Sequence, residues 1–238
     1  AYSRLEYSEV LLRQYMRGNT PLQSTHYTRQ PENTGYSAKR VLFYTPIGCT
    51  FDPRACSYLA GCSRALKVCD QSHKLDACDV TLNGTYSYST LSQKNHEFIT
   101  HMCNHPGEFA GAYDVLVKVD DDVLYNPNQM IDALSRISLD ERAVLGFIRM
   151  TKHGVVWPSG AVYAYTSGVL RELCKIPRAL RTLRGEFEDV RFGRAVSILN
   201  KTHAVEYYNA DNIFNFVHLQ YRSSRMFLQF MQYGKCLS

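Results

Sequence analysis

Short apolar runs alternate along the chain with segments in which apolar residues recur every three to four positions. The apolar runs predict strands at Val41–Thr45, Tyr113–Val119, Ala143–Ile148, Ala161–Thr166 and Ala204–Tyr208. The helical periodicity predicts helices at Tyr88–Cys103, after Asn126, from Ser167 and at Glu188–Leu199. Strands and helices that alternate in this way predict an α/β fold, with a mixed, mostly parallel central sheet flanked by helices.

The chain is long enough to form one domain with a sizeable core. Its 238 residues are 45% hydrophobic and 21% charged, which suits a folded globular domain better than a disordered chain. We assign residues 39–238 to this domain and residues 1–38 to a stem or lead-in segment, which is polar, tyrosine-rich and helical at Ser8–Arg17. The net charge of +5 is too small, and the basic residues too dispersed, for a nucleic-acid-binding surface.

Cysteines are numerous and predict disulfides, which also stabilise the predicted fold. The eight lie at positions 49, 56, 62, 69, 78, 103, 174 and 236, without the paired C-x2-C spacing of zinc sites. The segment 49–78 shows little periodicity and predicts loops, and the connectivity stays open. Sequons at Asn83 and Asn200 agree with the secretory pathway. No run reaches the ~18 apolar residues of a membrane span, so we expect any membrane anchor to lie upstream of Ala1.

Three consecutive carboxylates, Asp120, Asp121 and Asp122, follow the predicted strand that ends at Val119. Open α/β sheets bind ligands at the carboxyl ends of their strands. Adjacent carboxylates repel one another, and a divalent cation such as Mn²⁺ or Mg²⁺ would relieve this repulsion and hold phosphate oxygens. The alternative interpretation is a solvated acidic turn.

Three further segments carry candidate chemistry. Glu188 and Asp189 open a helix, where carboxylates are stabilised as anions and suit a general base, although acidic first turns are common. Trp157 and Gly160 predict a glycine-bearing turn before a strand, where the indole either stacks on a sugar or nucleotide or packs in the core. His218 follows the last predicted strand and offers either a metal-binding nitrogen or a packed core side chain.

Taken in order, these segments resemble glycosyltransferase family 31, which comprises inverting β-1,3-galactosyltransferases, β-1,3-N-acetylglucosaminyltransferases and fringe-like relatives. The resemblance spans residues 79 to 220 and rests on the order and spacing of its motifs. The matching segments are Leu82–Lys94, Cys103, Val117–Val123, Trp157–Tyr163 and Glu188–Gly193. Two features depart from the family pattern: the segment 49–78 lacks the family's arginine-rich stretch ending in tryptophan, and Ala161-Val162 replaces a glycine.

The resemblance implies a GT-A-type catalytic domain at 39–238 that transfers galactose or N-acetylglucosamine from a UDP-sugar to a hydroxyl of a glycan acceptor, forming a β-1,3 linkage. The implied ligands of Mn²⁺ (or Mg²⁺) are Asp120, Asp122 and His218. The residues expected to contact the nucleotide sugar are Lys118, Asp120, Asp121, Trp157 and Gly160. Asp189 is the implied catalytic base, with Glu188 as the second candidate. The implied location is the Golgi lumen, with a type II membrane anchor.

Two alternatives remain open from the sequence. One is a secreted, calcium-dependent glycan-binding domain in which Asp120–Asp122 hold Ca²⁺ without catalysis, although the triplet lacks the alternating acidic spacing of an EF-hand loop. The other is a retaining transferase with the same acidic motif. The identities of the donor sugar and the acceptor depend on loop side chains that the sequence does not arrange in space.

Overall fold

A computed structural model describes residues 39–47, 65–72, 78–121, 123–125, 127–139, 141–151, 154–176, 187–201, 203–210 and 216–218. The predicted stem at 1–38 lies outside these residues. The strands are β1 (Val41–Pro46), β2 (Leu66–Cys69), β3 (Val80–Thr81), β4 (Val115–Val119), β5 (Val123–Tyr125), β6 (Ala143–Met150), β7 (Val156–Thr166), β8 (Glu206–Asn209) and β9 (Phe216–His218). The α-helices are α1 (Leu91–Asn104), α2 (Pro127–Ser135), α3 (Ser167–Lys175) and α4 (Glu188–Leu199).

Seven of these strands form one mixed sheet in the order β3-β2-β1-β4-β7-β6-β8. The pairs β2–β3, β1–β2, β1–β4 and β6–β8 are parallel, whereas β4–β7 and β6–β7 are antiparallel. The strands β5 and β9 form a separate antiparallel pair. Because the strand order reverses between β1 and β4, the carboxyl ends of these neighbours border the crevice where sheets of this kind bind ligands.

Helices cover both faces of the sheet, and the alternation of side chains along β4 shows how. Leu116 joins the core cluster under α1, α3 and α4, which includes Phe98 and Phe192. Val115 and Val117 join the cluster under α2. Burial on both faces explains why this strand is almost continuously apolar. It also places Lys118, two residues after Leu116, on the face that α1 and α4 cover.

Two disulfides fix segments around the sheet. Cys69, at the end of β2, is bonded to Cys78, and Cys103 of α1 is bonded to Cys174 of α3. All cysteines of the described residues are therefore paired, while positions 49, 56, 62 and 236 lie outside these residues. The structure thus confirms the predicted fold class: an α/β domain with a mixed, mostly parallel sheet, flanking helices and stabilising disulfides.

Several predicted boundaries need correction. The cysteine-rich segment predicted as loops contains β2, of which Leu66, Lys67 and Val68 pair with β1. Trp157 and Gly160 lie within the long strand β7 and not in a turn before it, because the connection from β6 occurs earlier, near Gly154. His218 is the last residue of β9 and does not follow a final strand. The helix predicted from Tyr88 begins with a 3-10 turn, and α1 starts at Leu91.

Candidate functional site

The acidic turn leaves the sheet at the carboxyl end of β4. The backbone N–H of Asp120 donates to the carbonyl of Ala161 at 2.9 Å, and the N–H of Val123 donates to the carbonyl of Asp120 at 3.2 Å. These two bonds fix the turn between β4 and β5. Asp121 is half-buried, and Asp122 lies outside the described residues. The turn therefore presents carboxylates at the crevice edge of the sheet.

Lys118 joins this turn to the start of α4. Its side chain is 1% exposed, and its ammonium donates to Asp120 Oδ1 and, at 2.7 Å, to the carbonyl of Gly160. It also forms an ion pair with Glu188 Oε2 at 3.2 Å. Burial alone would lower the pKa of Lys118, but attraction by the Asp120 and Glu188 carboxylates outweighs it and raises the pKa. Lys118 is thus a permanent cation between two acidic segments.

Glu188 is buried and surrounded by donors. Its Oε1 accepts hydrogen bonds from the Tyr163 hydroxyl at 2.5 Å and from the Asn95 amide. The amide of Asn95 also donates to the Tyr163 hydroxyl at 3.0 Å. Burial, followed by the charge of Glu188, raises the pKa of Tyr163 well above its usual range, so Tyr163 stays a hydrogen-bond donor. Glu188 is therefore held by side chains from β4, β7 and α1.

Asp189 occupies the first turn of α4 and is only half-buried. Its Oδ2 accepts a hydrogen bond from the N–H of Gly160 at 3.0 Å, and its Oδ1 accepts one from the N–H of Val190 at 2.8 Å. Burial and the negative charge of Glu188 raise the pKa of Asp189, against the opposing effects of the Lys118 charge and the two N–H donors. A partly accessible carboxylate with a raised pKa is a better proton acceptor than an ordinary aspartate.

The backbone of Gly160 connects Lys118 to Asp189. Its carbonyl accepts from Lys118, and its N–H donates to Asp189. The pairing of β7 with β6 shifts register between Gly146 and Ile148. In the same part of β7, the carbonyl and N–H of Gly160 bond to side chains. A glycine within a strand commonly marks such a close approach. The structure thus brings Lys118, Asp120, Gly160, Glu188 and Asp189 together.

Trp157 lies apart from this set of hydrogen bonds. It is half-buried on β7, and its backbone and Cβ lie against Gly193 of α4. A Cβ at Gly193 would stand 2.5 Å from the carbonyl oxygen of Val156 and 2.8 Å from Cα of Trp157. The glycine that follows the Glu-Asp pair in the sequence therefore allows α4 to approach β7 closely, which sets the position of Asp189 over Gly160.

A second buried ion pair lies at the ends of β1 and β2, and the sequence analysis missed it. Lys94 of α1 and Asp70, which follows β2, are 1% and 0% exposed, with Nζ and Oδ2 at 2.7 Å. Lys94 also donates to the carbonyl of Ile47, after β1. Burial lowers the pKa of Lys94, against the opposing effects of the Asp70 and Asp121 carboxylates. A signal was present, since Lys94 shares a helical stripe with Phe98 and Met102.

The implied metal ligands are only partly described. Asp120 has a described side chain, Asp122 lies outside the described residues, and only the backbone of His218 is described. The pairing of β5 with β9 places the backbone of His218 opposite Val123, the residue after Asp122. Within the described part, no three His, Cys, Asp or Glu side chains form a group that could hold an ion. Aspartate carboxylates and a histidine imidazole are nevertheless ligand types that suit Mn²⁺.

Comparisons with known proteins give structural likeness at low sequence identity. No family model and no curated protein matches the chain. Among solved structures, the chain is similar to A197 from STIV, with 15% identity, a TM-score of 0.39 and coverage of 75% of this chain and 85% of that one. It is also similar to a glycosyltransferase involved in the glycosylation of the major capsid of PBCV-1, with 14% identity, a TM-score of 0.46 and coverage of 79% and 96%. At these values neither likeness bears on the activity.

No helix of the described segments is both long and apolar enough to cross a bilayer.

Proposed function

We propose that this chain is the catalytic domain of an inverting, metal-dependent glycosyltransferase that resembles family 31 and uses a UDP-sugar donor. The observation that carries the proposal is the shared ammonium of Lys118, which contacts Asp120 and Glu188 and so joins the acidic turn to the start of α4. Asp189 lies on the same Gly160 backbone. A nucleotide site and a base within one crevice are what a single-displacement transferase needs.

In the proposed reaction, Asp189 accepts the proton of the acceptor hydroxyl as that oxygen attacks the anomeric carbon. The new carbon–oxygen bond forms while the bond to the diphosphate breaks, and UDP leaves with the electron pair. Attack from the opposite face turns an α-linked donor into a β-linked product. Asp189 suits this role better than Glu188, because it is partly accessible while Glu188 is buried among donors.

The acidic turn would bind the donor. Asp120, Asp122 and His218 are the proposed ligands of Mn²⁺ or Mg²⁺, and Asp121 is proposed to lie near the ribose. When bound, such an ion would neutralise negative charge on the leaving diphosphate. Galactose or N-acetylglucosamine as the transferred sugar, and a β-1,3 linkage, are proposed from the family resemblance.

A location in the Golgi lumen, with a membrane anchor upstream, forms part of the proposal. The two disulfides support it, since they persist in oxidising compartments. The sequon asparagines support it too, because Asn83 and Asn200 are both exposed and could be reached by an oligosaccharide-transferring enzyme.

The direct experiment is a screen of UDP-sugars with the purified chain, a panel of glycan acceptors and Mn²⁺. We expect acceptor-dependent release of UDP, its loss on chelation, and a β-configured product by NMR. Asp189→Asn should lower kcat by about 10²- to 10⁴-fold, whereas Asp132→Asn, an exposed site on α2, should leave it unchanged. Calcium-dependent glycan binding without any UDP release would instead support the non-catalytic alternative, and an α-configured product would support a retaining enzyme.

A further inference from the structure

Two adjacent carboxylates of α4 have different surroundings. The side chain of Glu188 is 7% exposed and contacts Lys118, Tyr163 and Asn95. Asp189 is half-buried and accepts two backbone hydrogen bonds. A carboxylate enclosed by three donors cannot reach a sugar hydroxyl without breaking those contacts, each of which a buried charge needs. Glu188 therefore fits a supporting role better than a chemical one.

Lys118 is enclosed to a similar degree. It is 1% exposed, its three oxygen partners come from the acidic turn, β7 and α4, and its ammonium lies 5.6 Å from the centre of the Tyr163 ring. An ammonium with three hydrogen-bond donors is saturated by three such oxygens. A diphosphate oxygen would have to displace one of these three oxygens. This argues against the direct contact between Lys118 and the UDP-sugar that the sequence led us to expect.

We propose that Lys118 and Glu188 are positioning residues, whose buried ion pair fixes Gly160 and the first turn of α4 and thereby sets the place of Asp189 relative to the acidic turn. Lys118 holds the carbonyl of Gly160, and the N–H of the same residue holds Asp189. Neither residue of the pair contacts substrate in this scheme. The inference rests on the proposed function, since it assigns supporting roles around the proposed base.

The pair also acts on Asp189 through its charges, with opposite signs. The charged and polar groups that face Asp189 are Glu188 on its own helix, Lys118 from β4, and the N–H groups of Gly160 and Val190. Glu188 raises the pKa of Asp189, and Lys118 lowers it. Neutralising Glu188 should therefore lower the pKa of Asp189, whereas neutralising Lys118 should raise it. A residue that merely fills space would produce neither shift.

The test compares Glu188→Gln, Lys118→Met and the double variant with wild type. Glu188→Gln preserves shape and should lower kcat by about 10- to 100-fold, with the acid limb of the kcat/KM profile moved to lower pH and little change in the KM for the donor. The matched control is Glu206→Gln on β8, which is exposed and should change nothing. Because Lys118→Met leaves the buried Glu188 carboxylate and the half-buried Asp120 carboxylate without their counter-ion and could prevent folding, the double variant provides a second test of Lys118.

A measurement independent of turnover keeps this inference separate from the proposed function. ¹³C NMR titration of the Asp189 carboxyl, assigned with Asp189→Asn, should give a lower pKa in Glu188→Gln than in wild type. If that shift appears in a protein without transferase activity, the proposed function fails and the positioning pair stands. The inference is overturned if Glu188→Gln loses as much activity as Asp189→Asn, which would make Glu188 the base, or if the Asp189 titration does not move.

Discussion

Gly160 and Asp189 are joined by a 3.0 Å hydrogen bond from the backbone N–H of the glycine to Oδ2 of the aspartate. A Cβ added at Gly160 would meet Oδ2 at 3.3 Å and Cβ of Asp189 at 3.5 Å. This spacing is tight, yet the nearest atom ends a side chain that can turn away. Glycine at position 160 is therefore more important for the position of the Asp189 carboxylate than for the stability of the fold.

Gly160→Ala should consequently affect activity much more than stability. The added methyl group displaces the Asp189 carboxylate by a few tenths of an ångström, and we expect kcat/KM to fall by about 10- to 100-fold. The midpoint of urea unfolding should stay close to that of wild type. Parallel kinetics and urea titrations would check both values, and a large loss of stability with proportionate loss of activity would contradict the assignment.

Gly193→Ala should, by contrast, lower the stability of the fold. Here a Cβ would meet backbone atoms, at 2.5 Å from the Val156 carbonyl oxygen and 2.8 Å from Trp157 Cα. Backbone cannot rotate away, so α4 must move off β7, at a cost of about 1–3 kcal/mol. Urea unfolding measures this loss directly. An unchanged unfolding midpoint would show that α4 does not pack on β7 as closely as described.

Asp189→Asn should raise the free energy of unfolding at neutral pH. The raised pKa of Asp189, caused by burial and by Glu188, means that the folded state favours its protonated form. Such a group stabilises the fold below its unfolded pKa and loses that contribution as pH rises through its folded pKa, so its ionised form is unfavourable at pH near 7. Asparagine cannot ionise, which removes this cost.

Urea unfolding at several pH values between about 4 and about 8 would check the Asp189→Asn prediction. The gain in stability should grow with pH, while Asp132→Asn, at an exposed site, should show no such trend. A carboxylate kept at a cost to stability is typical of functional sites. A pH-independent loss of stability would instead indicate that the Asp189 carboxylate is needed for structure.

The sequence predicted the layers of the fold because burial leaves a direct pattern. The strand up to Val119 is apolar on both faces, and the helix at Glu188–Leu199 was predicted with the bounds that the structure has. β2 was missed because only two of its four residues are fully buried and its cysteine-rich surroundings suggest loops. Apolar periodicity thus identifies elements that pack deeply better than short strands near an edge.

The candidate site could be predicted only in part. Pairs of adjacent acidic residues pointed to Asp120 and Glu188 as site residues. Lys118 was predicted to contact the nucleotide sugar, and its ion pairs with Asp120 and Glu188 were not predicted, because partners distant in sequence leave no local pattern. Gly160 suggested a turn because glycine weakens a strand and often marks a bend, whereas in the structure it lies within β7. Lys94 was missed because a lysine usually lies on the solvent-exposed side of a helix.

The Cys103–Cys174 disulfide should contribute more to stability than the Cys69–Cys78 disulfide. The first joins α1 to α3 across a sequence separation of 71, and the second spans 9. Closing a longer loop removes more conformational entropy from the unfolded chain, so we expect Cys103→Ala/Cys174→Ala to lose about 2–4 kcal/mol and the other double variant to lose less. Urea unfolding of both measures the difference. Equal losses would contradict the entropic explanation.

The Lys94–Asp70 ion pair provides a further test, because both side chains are almost completely buried. Lys94→Met leaves the Asp70 carboxylate without its counter-ion and should cost about 3–5 kcal/mol. Adding Asp70→Asn removes the uncompensated charge, so the double variant should recover part of that loss. A double variant less stable than Lys94→Met would contradict this account of the pair.

The Lys94–Asp70 pair should also make the stability of the protein depend on pH in a defined direction. Burial alone would raise the pKa of Asp70, but hydrogen bonds from Lys94 and Ser72 outweigh it and lower the pKa from 3.8 to about 2. A lowered pKa means that the stabilisation is complete above the unfolded pKa and is lost as pH falls through the folded one. The stability difference between wild type and Lys94→Met should therefore narrow as pH falls from about 4 toward about 2. Urea unfolding across that range checks the trend, and a constant difference would mean that Asp70 and Lys94 do not titrate as a pair.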